Sequence, residues 1–479
     1  LASSAASDVY KRQIMMYNYI KKWKGDAKKM LLNFKMENFR SFKDETFFTM
    51  LSSKQKTHND YVIDKSVNGN KLRVLPMTVI YGANACGKSN IVLAMDILKK
   101  MVMKGTLNCK ELESYKSMLS FIRDTSWYDP VSLEITFSTQ NNIYRYGIKF
   151  TDIDVYKIEE EVLYVNDDLF FSRDDENQIY VDVKKLVKKG YINKDDADFS
   201  ERLIHKLNQT LDKQKLVVAG AISNLFDKKY FEDFNLWFEK FNVIMNANDM
   251  NFRQKDLKTI FNKKPDKDIR RNIFESASVK EVMNIAEFGN QKIGFMAETD
   301  NDELSMCSMY QVPLRKDEQP QKKYAISMIV DSELMESRGT IHLIRLLQPF
   351  IDVLDNGGVI VLDEMDASLH FEIVVSLIRI FNNKDINKNN AQLIFNTHNP
   401  IYLDGELLRH DQIVMVEKRR NDMVSEIYSL ADYKLRPEER ILKNYLNGKY
   451  GALPHMDLEI AFKHILEREA NNLESSKEQ

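Results

Sequence analysis

The sequence predicts an α/β fold with a β-rich subdomain and a helical insertion, in which buried strands of an open sheet carry a phosphate-binding loop. Three observations predict it. A short apolar run, Met77 to Tyr81, leads straight into the glycine-rich stretch Gly82 to Ser89 (GANACGKS), and a helical pattern from Asn90 to Met103 follows. A second apolar run, Val359 to Leu362, ends in Asp363 and Glu364. A further stretch, Gln392 to Asn396, reads as another buried strand and ends in Thr397 and His398. Short, largely apolar runs bounded by turn residues are the pattern of strands buried on both faces.

The other elements follow in order. Leu31 to Met50 alternates apolar and polar residues and reads as two short strands. Val131–Phe137 and Ile143–Phe150 alternate around Asn141-Asn142, a hairpin signal, and further short strands run to about Val183. From Lys184 to about Gly289, apolar residues recur at helical spacing, as in Phe234, Trp237, Phe238 and Phe241. Lys322 to Asp331 returns to a strand. Thr340 to Leu354 is an amphipathic helix, closed by Asp355-Asn356-Gly357-Gly358. Phe371 to Phe381 is helical. The expected organisation is an N-terminal extension (1–29), a lobe with the glycine-rich loop and β-subdomain (30–183), a helical insertion (184–320), a second lobe (321–435) and a helical tail (436–479). Leu1 to Gln13 reads as translated adapter sequence, and Met30 is the expected natural start.

Bulk properties bound the function. The 479 residues are 43% hydrophobic and 29% charged, an ordinary soluble balance. No apolar stretch is long enough to cross a bilayer, so no membrane partner is expected. The formal net charge of -2 does not mark the whole surface as a polyanion binder. The three cysteines, Cys86, Cys109 and Cys307, lack the paired spacing of a zinc site and suit a reducing cytoplasm.

The pattern G-x-x-x-x-G-K-[ST] falls on Gly82, Gly87, Lys88 and Ser89. Glycines let the backbone wrap phosphates, while amides at a helix N-terminus supply positive potential. The whole stretch Gly82, Ala83, Asn84, Ala85, Cys86, Gly87, Lys88, Ser89 and Asn90 is therefore expected to hold ATP. Lys88 would reach the terminal phosphates and Ser89 would ligate Mg2+. Asp363 would join Ser89 on the metal, and Glu364 would polarise the attacking water. His398, at the tip of a strand parallel to that of Asp363, is either structural or a γ-phosphate contact. Ser337 and Gly339 open the helix that leads into the Asp363 strand. They read either as an ordinary cap or as a phosphate-ready helix start that closes on another subunit's ATP. Arg253, Lys255, Lys258, Lys263, Lys264, Lys267, Arg270 and Arg271, with Phe252, Phe261 and Phe274 interleaved, read as a nucleic-acid track or a solvated helical face.

The order of these pieces resembles ABC-type ATPases of the SMC/RecF kind. More closely it resembles the bacterial "AAA family ATPases" that include the ATPase subunits of the PARIS, RloA and AbiL phage-defence systems. The matching residues are Asn38-Phe39-Arg40-Ser41-Phe42, GANACGKSN from Gly82, ESRGT from Glu336, GGVIVLDEMDASLH from Gly357, QLIFNTHNP from Gln392, LLRHDQIVMVEK from Leu407 and Gly448 to Ala452. The resemblance implies a P-loop NTPase fold of ABC-ATPase type. It also implies roles for Asn84 at the γ-phosphate, Arg40 near the nucleotide, Ser337 and Gly339 as signature contacts across a dimer, and Ala367 to His370 as the D-loop. His370 departs from the usual Asp, Cys86 from the usual Ser or Gly, and ESRGT from a transporter's LSGGQ. Gln140 is a candidate Q-loop residue or a plain hairpin-edge glutamine.

The resemblance implies an ATP- and Mg2+-dependent ATPase that forms a head-to-tail dimer or higher oligomer. It would be the sensor or scaffold of a defence system. About eighty residues follow His398, too few for a typical domain, so a separate toxin or nuclease effector is expected. The alternative is a RecF/SMC-like DNA repair or chromosome-maintenance ATPase, with DNA as partner.

Overall fold

The computed structural model describes residues 29–67, 70–115, 118–151, 156–245, 252–253, 273–274, 281–282, 292–297, 303–313, 325–433, 435, 439–453 and 458–475. The described residues open with β1 (Met30–Glu37), β2 (Thr46–Thr49), the paired β3 (Ile63–Val67) and β4 (Asn70–Val74), and β5 (Met77–Gly82). After helix α1 (Lys88–Lys104) come β6 (Val131–Ser138), β7 (Ile143–Thr151), β8 (Lys157–Val165), β9 (Asp168–Arg173) and β10 (Ile179–Tyr180). Helix α2 (Lys228–Glu239) leads into β11 (Phe241–Ile244). Next are β12 (Phe252–Arg253), β13 (Ile273–Phe274), β14 (Lys292–Ala297), β15 (Glu303–Pro313) and β16 (Ala325–Asp331). Helix α3 (Arg338–Asn356), β17 (Val359–Leu362), α4 (Phe371–Asn382), β18 (Gln392–Asn396), β19 (Ile413–Lys418) and β20 (Ser425–Ser429) complete the second lobe.

The central sheet has the order β11-β17-β18-β5-β19-β20. Its first five strands are parallel and β20 returns antiparallel. The apolar runs are buried because both faces are covered. Ile80, Val359, Val361, Ile394, Val414 and Val416 point to one side, where Ile91, Val92, Met95 and Leu98 of α1 meet them. Val79, Tyr81, Ile360, Leu362, Leu393, Phe395 and Met415 point to the other, against Leu346 and Phe350 of α3 and Val374, Ile378 and Phe381 of α4. The period of two along each strand delivers both sets of side chains from one run.

A seven-stranded antiparallel sheet, β10-β9-β8-β7-β6-β1-β2, lies on the α1 side. One buried side chain joins the two sheets. Gln392, at the start of β18, accepts the Leu31 N–H at 2.6 Å and donates to the carbonyls of Leu31 and Leu75, each at 3.1 Å.

The inserted segment differs from the helical expectation for 184–320. It is helical as far as Glu239. Those helices belong to the first lobe: Trp237 of α2 stacks on Phe137 at 4.0 Å and Phe234 packs edge-on against Tyr146. Then β11 joins the central sheet as its edge, beside β17. The described residues from Phe252 to Asp331 include a separate antiparallel sheet, β12-β15-β14-β13 with β16 on β15. The helical spacing around Phe234 and Trp237 ends at Glu239, where Phe241–Ile244 takes up a strand. Of the basic stretch, only Arg253 lies among the described residues, in β12; Lys255 to Arg271 and Phe261 lie outside them. Leu1 to Gln13 also lie outside them. No helix among the described residues is long and apolar enough to cross a membrane.

Candidate functional site: a phosphate-binding sheet edge

The site forms at the C-terminal ends of β5, β17 and β18, where open parallel sheets bind ligands. The loop after β5 turns tightly into α1. A Cβ on Gly82 would lie 2.4 Å from the Val416 carbonyl oxygen and 2.5 Å from Cys86 Sγ. Gly87 has φ 116° and serves as N-cap of α1 with no side-chain cap. A Cβ there would lie 2.6 Å from Ser41 Oγ and 2.9 Å from Ser425 Oγ. The backbone thus reaches where side chains cannot follow, and no side chain caps the N-terminus of α1, the end of a helix that attracts anions.

Lys88 is buried, and its ammonium donates to the carbonyls of Gly82 at 2.9 Å and Ala83 at 3.0 Å. Burial holds its pKa below the ordinary lysine value, against the raising effect of Cys86, Glu364 and Asp363. His398 Nδ1 lies 3.4 Å from Lys88 Nζ, so the tips of the two side chains meet. An ammonium can only donate, so Nδ1 is the acceptor and the ring proton sits on Nε2. Burial, then the charge of Lys88, hold His398 below the ordinary histidine value, which keeps the ring neutral at pH 7.

Asp363 follows the last residue of β17, and its N–H is held by the Ile244 carbonyl at 3.0 Å. Its carboxyl bonds the side chains of Asn396 and Ser89. Burial raises its pKa above the usual carboxylate value, and those two hydrogen bonds oppose the rise. Glu364 is exposed, with φ 48°, and its N–H donates to Asn396 Oδ1 at 2.5 Å. The structure therefore brings Lys88, Ser89, Asp363, Glu364 and His398 to one edge.

Other expected residues have different positions. Asn84 and Ala85 are exposed on the loop, Ala83 is half-buried, and Ala85 is in the left-handed region at φ 59°. Asn90 directs its amide to Ser41 Oγ at 2.9 Å, behind the loop. Cys86 is buried, its thiol pushed up by burial, and its carbonyl accepts from Ser425 Oγ at 2.6 Å. Arg40 lies in the turn that carries Ser41, its guanidinium 5.9 Å from the Tyr115 ring. Ser337 caps α3 by accepting the Thr340 N–H at 3.1 Å. A Cβ on Gly339 would lie 2.3 Å from the Ser368 carbonyl oxygen. The start of α3 therefore packs on the Ala367–His370 loop, and no hydrogen bond or ion pair joins Ser337 or Gly339 to Lys88 among the described residues. Gln140 is exposed in the β6–β7 turn, with no such bond to the loop either. His370 caps α4 by accepting the Glu372 N–H at 3.3 Å.

Residues 77–404 match the family described as "AAA domain, putative AbiEii toxin, Type IV TA system". The chain belongs to this AAA-domain family. Its fold is the α/β P-loop NTPase fold, and the AAA-domain match spans the β5 loop, the β17 carboxylates and His398. Among solved structures, the SMC head domain from Thermotoga maritima is 15% identical, with a TM-score of 0.32, covering 83% of this chain and 98% of that one. The Smc head domain from Pyrococcus furiosus, with an extended coiled coil and bound to the C-terminal domain of ScpA, is 17% identical, with a TM-score of 0.39 and coverage of 84% and 96%. No curated protein matches the chain.

Three contributors to the candidate site were given no role from the sequence: Asn396, Ser41 and Ser425. Asn396 had a signal, since a polar residue closes an otherwise apolar strand beside the carboxylates. Ser425 had none, because only tertiary structure brings β20 behind Gly87.

The residues fit ATP with Mg2+. The glycine cradle excludes side chains, and Ser89 with Asp363 offers the hard oxygen donors that Mg2+ prefers.

Proposed function

We propose that this AAA-domain chain hydrolyses ATP and that each nucleotide is closed by Ser337 and Gly339 of a second copy in a head-to-tail dimer. The observation that carries the proposal is the convergence of Lys88, Ser89, Asp363, Glu364 and His398 at one sheet edge, with the α3 start held on the Ser368 loop instead. Lys88 and the α1 amides bind the phosphates. Ser89 and Asp363 hold Mg2+, which supplies charge neutralisation on those phosphates. Glu364 stands free to orient and polarise the attacking water. His398, protonated on Nε2, donates to the γ-phosphate.

The biological role proposed is the sensor or scaffold ATPase of a bacterial anti-phage system, with toxicity in a separate effector protein. The family description, which joins an AAA domain to a putative toxin of a toxin–antitoxin system, supports a defence setting; the separate effector rests on the resemblance alone. A phage-plating assay on cells expressing the chain with its neighbouring gene tests the role. Protection that is lost with Lys88→Ala supports the proposal. Protection that survives Lys88→Ala contradicts it. Salt-sensitive, ATP-dependent DNA binding by the chain alone, without protection, would favour the RecF/SMC-like alternative.

A further inference from the structure

We infer that Glu336 is a positioning residue through which the β12–β16 sheet sets the start of α3 for closure on a second copy. The inference rests on the dimer reading above. Ser308 and Tyr310 lie two residues apart on β15 and so share a face. Both donate to one oxygen, Glu336 Oε1: Ser308 Oγ at 2.7 Å and Tyr310 OH at 3.1 Å. Ser308 Oγ also bonds Ser332 Oγ at 3.0 Å, and both serines are fully buried. Glu336 N–H donates to the Ser332 carbonyl at 2.8 Å. The next residue is Ser337, the cap of α3.

The joint is backed by a small apolar core of its own. Ile293, Phe295 and Met306 of the sheet pack with Ile341, Leu343, Ile344 and Leu347 of α3, and Leu369 and Ile373 lie against them. On its far side the first turn of α3 touches the loop that follows Glu364. Gly339 meets the Ser368 carbonyl, and the His342 ring bonds the Met365 backbone. That loop holds two non-glycine residues in the left-handed region, Glu364 at φ 48° and Ser368 at φ 69°. Such backbones persist only where their surroundings fix them. One contiguous set of contacts therefore runs from β15 through Glu336 and the α3 cap to the catalytic carboxylate loop. A carboxylate just ahead of a helix N-terminus is also favoured by the helix dipole. A shift of the sheet changes where Ser337 and Gly339 are presented, while Lys88 and its cradle, on a different set of strands, are untouched.

The test uses the full chain carrying Glu364→Gln, so that ATP is not consumed. Mass photometry over an ATP titration gives the concentration for half-maximal dimer, and a fluorescent ATP analogue gives nucleotide affinity separately. Glu336→Ala is expected to raise the ATP concentration for dimerisation about 10-fold or more, the scale of lost hydrogen bonds to a charged group, with nucleotide affinity within about 2-fold. Ser308→Ala with Tyr310→Phe should do the same, and combining both sides should add little further. Glu336→Gln should recover most of the effect, because its Oε1 still accepts both hydroxyls. Should Glu336→Ala lose its fold, judged by circular dichroism, Tyr310→Phe alone carries the test. Dimerisation at unchanged ATP, or fully additive effects of the two sides, overturns the inference. A Glu364→Gln protein that stays monomeric overturns the dimer reading itself, and the inference falls with it.

Discussion

Asn396 holds both carboxylate residues of the site: its amide nitrogen donates to Asp363 Oδ1, and its amide oxygen accepts the Glu364 N–H at 2.5 Å. One side chain at the end of β18 thus orients both the proposed metal ligand and the backbone of the proposed base. Asn396→Asp keeps the shape but replaces a donor with a second negative charge beside Asp363. ATP turnover should fall about 10- to 100-fold, the usual cost of losing an orienting partner. A Mg2+ titration of phosphate release checks it, and more Mg2+ should recover part of the loss. Unchanged turnover would mean that Asn396 only closes the strand.

Gly87→Ala should weaken nucleotide binding strongly. The new Cβ would sit 2.6 Å from Ser41 Oγ and 2.9 Å from Ser425 Oγ, in a backbone at φ 116° that a side chain resists. Equilibrium binding of a fluorescent ATP analogue should weaken more than about 10-fold, as expected when an approach of backbone to phosphate is blocked. Affinity equal to that of the native chain would contradict the cradle.

Much of this candidate site was legible because the pattern expected of phosphate binding falls on residues that are neighbours in sequence. The loop Gly82 to Ser89 and the pair Asp363-Glu364 each declare themselves within one turn and one strand. The central strands were legible because burial on both faces leaves an unbroken apolar run. What sequence did not show depends on contacts across long separations. Ser425 reaches the loop from β20, and Asn396 acquires its meaning only when β18 pairs with β17. The strands β12 to β16 were hidden for another reason. The helical period around Phe234 and Trp237 was strong, and nothing in the pattern marked where it stopped.

Arg409 gives a structural prediction within the LLRHDQ motif. It is fully buried, pairs with Asp411 at 2.8 Å and donates to the carbonyls of Thr57 at 2.6 Å and His58 at 3.1 Å. Asp411 in turn accepts from the backbone and hydroxyl of Ser53. Arg409→Ala strands a buried carboxylate and three carbonyls, including that of Gln55. The chain should lose about 3–5 kcal/mol of stability, seen as a lower urea midpoint. An unchanged midpoint would show that water or a shifted loop satisfies these groups.

Stability should fall as the pH drops below about 6.5, the ordinary histidine value. Burial holds both His342 and His410 below that value in the folded chain. In this window the unfolded chain binds protons that the folded chain refuses, so stability is fully present above it and is lost as pH falls towards the folded values. Urea midpoints at about pH 8 and about pH 5.5, on either side of the histidine range, check the sign. His342→Gln should reduce the difference between them. A difference that His342→Gln leaves unchanged would assign the effect to other groups.

The central claim is that the loop at Gly82 is half of a site that a second copy completes. The most direct measurement is the mass of the Glu364→Gln chain in solution, by light scattering, with and without ATP and Mg2+. The account predicts a monomer without nucleotide, a dimer with ATP, and no dimer when Lys88→Ala or Gly339→Val is added. A Glu364→Gln chain that binds ATP and remains monomeric at every protein concentration would contradict it.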